Sequence, residues 1–255
     1  MSSPVLVSRL TARAAVASRA DAAGRTRVTV LRSDGPLALR QTPVGVYLVG
    51  TAAGPLGGDD LALDIDVGPG SCLVIRSAAG MLLLPGPHGG VSALRISARV
   101  GPGGYLDFAP QPTVAAAGCE HRAGADIELA AGAMLRWREE LILGRHGERP
   151  GRCTSRIDVT LAGTPVYRGE LNAGFPQADA SSAVLNGARA AGSVLLVDAT
   201  RPRPPAAVAD GLAVLPLAGP GTAVTALAPD AMTLARRLDQ GERLAGPCTG
   251  DGRTG

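Results

Sequence analysis

The residue types best suited to metal chemistry in this sequence are the thiol of Cys119 and the imidazole of His121, which flank Glu120. Residues two apart share a face when the chain is extended, so both side chains would point the same way in a strand. Thiolate and imidazole together suit a borderline metal such as nickel or zinc. Two ligands make an incomplete site, and the alternative is a partly buried cysteine beside a surface histidine.

The sequence lacks the motifs of the common enzyme classes. It has no GxSxG elbow, no GxxxxGK(S/T) phosphate loop, no GxGxxG after a strand and no HExxH. We expect no role for His88, because it lies in the turn-forming sequence 85–90. The widely spaced cysteines include no CxxC pair, which excludes a zinc ribbon and a thioredoxin-type motif. The four cysteines are Cys72, Cys119, Cys153 and Cys248. We therefore predict that the protein is not an enzyme.

Three polar segments lie beside predicted strands. Gly57-Gly58-Asp59-Asp60 precedes one, where an aspartate after Gly-Gly can cap turn amides in a structural Asx turn. Pro110-Gln111-Pro112-Thr113 follows another and forces an extended exit from it. In the segment 139–148, Arg145 and Glu148 can form a charge-assisted hydrogen bond that fixes the loop or contacts a ligand.

Strictly alternating apolar and polar residues predict the strands that carry these segments. In residues 60–67 the apolar side chains fall on one face and the carboxylates on the other. A period of two is typical of a half-buried strand. The other alternating runs include 25–31, 92–100, 156–161 and 193–197.

A strand, small-residue turn and strand unit occurs three times, at 64–77, 95–108 and 126–139. The turns centre on Gly68 and Gly70, on the equivalent pair 101 and 103, and on Gly132, about 30 residues apart. That spacing is typical of repeat architectures. Two interpretations remain open: three hairpins of a β-sandwich, or β layers stacked as in a β-helix.

Composition limits the class of protein. The 255 residues are 45% hydrophobic but only 2% aromatic, and all 25 basic residues are arginine. A net charge of +3 with interspersed acidic residues does not favour nucleic-acid binding. No signal-peptide core and no 18-residue apolar run is present, so we expect a cytoplasmic protein without a membrane span.

The C-terminal third contains the helix signals. Residues 178–191 are rich in alanine and predict a short helix, and Pro229 opens a second one over 229–238 that ends before Gly241. We predict an all-β fold with one or two short helices: one domain over residues 1–245, with a C-terminal helix and a disordered tail at 246–255.

In their order along the chain, these segments resemble the urease accessory protein UreD (also called UreH) family. The matching motifs are Gly57-Gly58-Asp59, Pro110-Gln111-Pro112-Thr113, Leu143-Gly144-Arg145 with Gly147-Glu148, and Leu227-Ala228-Pro229-Asp230. The resemblance covers roughly residues 45–240. This chain departs from the family at Ile75–Ala79, where many members have Thr-Thr-Gln, which puts in doubt any role of those polar side chains.

The resemblance implies a scaffold that binds urease apoprotein on one side and UreF on the other. UreF in turn recruits the GTPase UreG, which brings nickel. A proposed nickel route runs through the interior of the UreD-like protein, and we assign Asp59, Glu140 and Glu148 to its lining. Nickel in transit needs exchangeable ligands, so we expect no tightly bound cofactor.

The remaining motif residues are assigned structural or interaction roles: Gly57, Gly58, Pro110, Gln111, Pro112, Gly144 and Arg145. Two other functions are weighed against the accessory role. One is a generic β scaffold without a metal link, and the other is a carbohydrate-active enzyme on a β-helix. The low aromatic content argues against the enzyme, since such grooves usually expose aromatic platforms and paired carboxylates.

Overall fold

The structure is a computed structural model that describes residues 9–246. Within that range the backbone forms eighteen strands and two helices. The strands are β1 (Thr11–Ala20), β2 (Thr26–Arg32), β3 (Leu37–Thr42), β4 (Gly45–Gly50), β5 (Asp60–Val67), β6 (Cys72–Ser77), β7 (Met81–Leu83), β8 (Ser92–Val100), β9 (Tyr105–Phe108), β10 (Thr113–Ala115), β11 (Glu120–Leu129), β12 (Met134–Leu143), β13 (Arg152–Leu161), β14 (Thr164–Ala173), β15 (Ala190–Val197), β16 (Ala207–Ala209), β17 (Leu212–Pro216) and β18 (Thr222–Ala228). The helices are α1 (Pro176–Ala180) and α2 (Ala231–Ala245). Neither of these two helices is long and apolar enough to cross a membrane.

The strands form two sheets that share a core. The first sheet has the order β14-β13-β11-β8-β5-β1-β2, and the second has the order β16-β17-β18-β15-β12-β9-β6-β4-β3, with β10 joining β12 to β7. In the first sheet β5, β8, β11 and β13 are parallel neighbours. In the second sheet β6, β9 and β12 are parallel neighbours. The predicted all-β fold with a C-terminal helix is confirmed.

The three repeats are successive coils of this stack. In each coil the first strand lies in the first sheet and the second strand lies in the second sheet, so the two strands do not pair with each other. The hairpin interpretation is therefore wrong, and the stacked-layer interpretation is confirmed. Gly70, Gly103 and Gly132 occupy equivalent turn positions with φ of 64°, 64° and 74°. Glycine adopts this left-handed conformation without a Cβ clash.

The alternating side chains fill the space between the sheets. The apolar face of β5 is buried, and its outward carboxylates Asp64 and Asp66 pair with arginines of β1. Trp137 of β12 is fully buried and stacks on Phe108 of β9, with ring centroids 4.0 Å apart. An offset aromatic pair of this kind stabilises a core by about 0.5–1.5 kcal/mol beyond its buried area.

Helix α2 covers the outer face of the second sheet and differs in length from the prediction. Its N-cap is Asp230, whose carboxylate accepts the Thr233 N–H, and it continues through Gly241 to Ala245. Gly241 does not end the helix. It lies where α2 packs closely on the sheet, and a side chain would not fit there. A Cβ there would lie 2.3 Å from Val224 Cγ1.

The helix predicted over 178–191 is wrong in extent. Only α1 forms there, and residues from Ala190 onward join β15. Asn186 and Gly187 have φ of 48° and 72°. A right-handed helix over 178–191 cannot continue through two residues in this left-handed conformation.

The predicted disordered tail lies outside the described residues from residue 247 onward. Gly246 itself is described, and its N–H donates to the Arg243 carbonyl at the end of α2. The boundary between a domain ending at residue 245 and a tail therefore stays a prediction.

Candidate functional site

A cavity of about 370 Å³ lies between the two sheets. It is bounded by the starts of the parallel strands β5, β8, β11 and β13, by the ends of β6, β9 and β12, and by the segments 48–55, 77–84 and 110–113. Its walls are largely apolar. The lining residues of polar type are Asp59, Ser77, Gln111, Thr113, His121, Glu139, Glu140 and Ser155, together with Cys153. An apolar recess with a few polar groups is the usual form of a small-ligand site.

Buried polar side chains form a row across the first sheet, at the start of its parallel strands. His121 on β11 is the register partner of Ser92 on β8 and of Cys153 on β13. Asp59 immediately precedes Asp60, which pairs with Ala93, so it extends the row beyond Ser92. All four side chains belong to buried residues. Because neighbouring strands lie about 4.8 Å apart, the row spans roughly 14 Å.

The Gly-Gly-Asp segment fixes Asp59 at one end of this row. The Asp59 carboxylate accepts the N–H groups of Leu10 at 3.1 Å and Leu56 at 2.8 Å. Gly58 has a φ of 98°, and a Cβ on Gly57 would lie 2.6 Å from the Gly86 nitrogen. Both glycines are therefore required by the backbone geometry that turns the carboxylate inward.

His121 is held by Ser92. The His121 Nδ1 and the Ser92 Oγ are 2.8 Å apart, and the Ser92 hydroxyl also lies 3.4 Å from the Glu120 carbonyl, to which it donates. Burial lowers the pKa of His121 to about 4, so the ring is neutral at neutral pH. Burial, with added repulsion from Cys119 and Glu139, raises the pKa of the neighbouring Cys153 thiol to about 12.

Glu139 reaches the cavity from the opposite sheet. Its two carboxylate oxygens accept the Trp137 Nε1–H and the Ser155 hydroxyl, each at 2.8 Å. Ser155 lies two residues after Cys153 on β13, so Glu139 connects the two sheets beside the polar row. Burial raises the pKa of Glu139, and the two hydrogen bonds oppose that rise.

The carboxylates of the other two assigned lining residues are held in ion pairs. Glu140 borders the cavity, but its carboxylate accepts Arg138 Nε at 2.7 Å on the side that faces α2. Its register partner Gly192 faces Leu234 and Leu238 of that helix. Glu148 is absent from the described residues that line the cavity, and it pairs with Arg145 in the loop after β12.

The remaining motif residues shape the loops near the cavity. Pro110 and Gln111 line its mouth, and the Gln111 N–H donates to the Ser77 hydroxyl at 2.8 Å. The Pro112 carbonyl accepts the Met81 N–H at 3.1 Å. Gly144, with a φ of 79°, starts the Arg145–Glu148 loop. The contacts of residues 110–112 hold segments at the cavity, whereas Gly144 and Arg145 are not among the described residues that line it.

The predicted Cys119 and His121 pair is only partly brought together. Both residues are buried, but Cys119 is not among the described residues that line the cavity, although it packs in the same apolar cluster as Cys153. The thiol beside His121 in the cavity is instead that of Cys153. Within residues 9–246, no group of three or more His, Cys, Asp or Glu side chains is arranged to hold a metal ion.

Sequence reasoning missed Glu139, Cys153, Ser92 and Ser155. The signal for Glu139 was present, because Leu135 and Trp137 mark the buried face of β12 and residue 139 continues it. Cys153 and Ser92 join His121 only through the register of three parallel strands, and no local pattern carries that information.

The site offers binding groups more than catalytic ones. A catalytic cysteine needs a lowered pKa, and the Cys153 thiol has a raised one. The carboxylate, imidazole, hydroxyl and thiol groups around this apolar recess are instead donor types that can ligate cations.

Comparison with known proteins adds independent information. The family model described as UreD urease accessory protein matches residues 10–245. A urease accessory protein UreD of Parafrankia sp. is 47% identical to this chain, over 94% of this chain and 89% of the relative. The corresponding proteins of Frankia casuarinae and Streptomyces avermitilis are 43% and 40% identical, over 93% and 91% of this chain and 92% and 95% of the relatives.

Proposed function

Because the chain belongs to the UreD urease accessory protein family, we propose that it is a non-catalytic scaffold for urease maturation. In this role it binds urease apoprotein and UreF, and UreF brings the GTPase UreG with its nickel. The chain itself holds nickel only in transit.

The observation that carries this proposal is the cavity between the sheets, with Asp59 and Glu139 among its lining. Each of these carboxylates is held by two hydrogen-bond donors of the protein. Preorganised carboxylates on apolar walls supply oxygen ligands to a divalent cation without enclosing it. Because these carboxylates do not enclose the ion, the ion can leave the cavity, whereas a complete coordination site would retain it.

The cavity also favours this function over the alternatives. A generic β scaffold has no need for buried carboxylates, an imidazole and a thiol in an internal recess, since burying such groups costs desolvation free energy that their hydrogen bonds offset only in part. A carbohydrate-active enzyme needs aromatic platforms in a groove. Here the stacked pair Phe108 and Trp137 is buried between the sheets.

Co-expression tests the proposal. The tagged chain is expressed with urease subunits, UreF and UreG in medium containing nickel, and a matched culture omits the chain. We expect urease and UreF to co-purify with the chain, and urease from the matched culture to contain little nickel. Fully nickel-loaded urease in the absence of the chain would overturn the proposal.

A further inference from the structure

We propose that His121 and Cys153 form a selectivity site inside the cavity, which binds borderline divalent cations such as Ni²⁺ in preference to hard cations such as Mg²⁺. This inference rests on the proposed transit function and deepens it. It assigns the choice of metal to two side chains that belong to the polar row of the first sheet.

The register places the two donors side by side. His121 and Cys153 are partners in adjacent parallel strands, both are buried and both line the cavity. Adjacent strands lie about 4.8 Å apart, a separation that two side chains on the same face can bridge through one ion. Ala123, the next inward residue of β11, is small and leaves room beside the pair.

The hydrogen bonds of Ser92 orient the imidazole for this task. The Ser92 Oγ lies 2.8 Å from the His121 Nδ1 and so occupies that ring nitrogen with a hydrogen bond. Nε2 is then the ring nitrogen that remains to bind an ion. Hydrogen bonds of this type, made by the ring nitrogen that does not bind the metal, fix the tautomer of metal-binding histidines in general.

The donor types decide which ions bind. Asp59 and Glu139 supply only oxygen, which Mg²⁺ and Ca²⁺ accept as well as Ni²⁺ does. Binding of the ion displaces the Cys153 thiol proton to water, and imidazole nitrogen and thiolate sulfur then favour Ni²⁺ and Zn²⁺ over the hard cations. The pair gives two protein ligands, and water fills the remaining positions, so the ion stays exchangeable.

Metal titration of the purified full-length chain tests the inference. Ni²⁺ alone should produce a thiolate-to-nickel charge-transfer absorption band in the wild type, and excess Mg²⁺ should not remove it. Cys153→Ser should abolish the band, and His121→Asn should weaken Ni²⁺ binding by about tenfold or more. Cys119→Ser is the matched control and should keep the band.

A measurement on the wild type avoids any dependence on variant folding. X-ray absorption at the nickel edge should show one sulfur and one imidazole nitrogen among the ligands of the bound Ni²⁺. A spectrum with oxygen ligands alone, or a charge-transfer band that Mg²⁺ removes, would overturn the inference. Neither result depends on the co-expression experiment, so failure of the selectivity site and failure of the transit function are distinguishable.

Discussion

Glu139 and Glu140 are consecutive residues of β12, and their carboxylates lie on opposite faces of the second sheet. The Glu139 carboxylate accepts hydrogen bonds from Trp137 and Ser155 between the sheets, whereas that of Glu140 pairs with Arg138 beneath α2. This alternation separates a cavity group from a group that anchors the terminal helix.

The ion pairs beneath α2 predict that Arg138 is essential for docking of the helix. Arg138 contacts Glu140 at 2.7 Å, Asp239 at 2.6 Å and Glu242 at 3.1 Å, and only 11% of its side chain is exposed. Arg138→Ala leaves Glu140 buried without its partner, which should lower the free energy of unfolding by roughly 3–5 kcal/mol. Urea denaturation of the wild type and the variant measures this loss in the free energy of unfolding.

The matched control for Arg138 is Arg19, whose pair with Asp66 is exposed on the outer face of the first sheet. Arg19→Ala should cost about 0–1 kcal/mol, because solvent screens an exposed pair. Equal stability losses for the two variants would contradict the anchoring role of Arg138.

Close packing at Gly241 gives a second stability prediction. Gly241→Ala improves intrinsic helix propensity by about 1 kcal/mol, but its Cβ would lie 2.3 Å from Val224 Cγ1 and 2.9 Å from Leu212 Cδ1. We expect net destabilisation of about 1–3 kcal/mol from overpacking, measured by thermal unfolding. At Gly124 no atom of the described residues lies within 4 Å of the position that a Cβ would occupy, so Gly124→Ala should not destabilise the fold.

The loop after β12 predicts a pH dependence of stability. A hydrogen bond from Arg145, with further backbone N–H donors, lowers the pKa of Glu148 from 4.5 to about 2. A carboxyl group whose pKa falls on folding stabilises the native state above its unfolded pKa, and that stabilisation is lost as pH falls through the folded value. The difference in melting temperature between wild type and Glu148→Gln should thus be full above about pH 5 and vanish near pH 2.

Arg145→Gln provides the check on that assignment, because it removes the main cause of the lowered pKa. Its melting temperature should fall at neutral pH as that of Glu148→Gln does. A constant difference between wild type and Glu148→Gln from pH 7 to pH 2 would rule out the ion pair as the cause.

The sequence predicted the strand, turn and strand repeat because the evidence for it is local, but both hairpins and stacked layers were consistent with that repeat. The three turn glycines and the alternation on either side of them are visible in the chain, and they recur as stacked coils. Glu140 was assigned to the interior on charge alone, although the parity of Leu135 and Trp137 indicates Glu139. Gly241 resembled a helix end, because sequence does not reveal that Val224 packs against it.

The polar row of the first sheet could not be predicted from the sequence, for a different reason. Ser92, His121 and Cys153 are about 30 residues apart along the chain, and they meet because three parallel strands share one register. The sequence paired His121 with Cys119, which is nearer along the chain. Only the register of the sheet shows that Cys153 is the thiol beside it.

The nickel content of urease matured with cavity variants tests the central claim most directly. Asp59→Asn and Glu139→Gln are each co-expressed with urease, UreF and UreG, alongside Glu128→Gln, whose carboxylate is exposed on the outer face of β11 and pairs with Arg99. We predict that all three variants co-purify with urease and UreF, and that only the two cavity variants yield nickel-poor urease. Urease fully loaded with nickel by both cavity variants would contradict a route through the cavity.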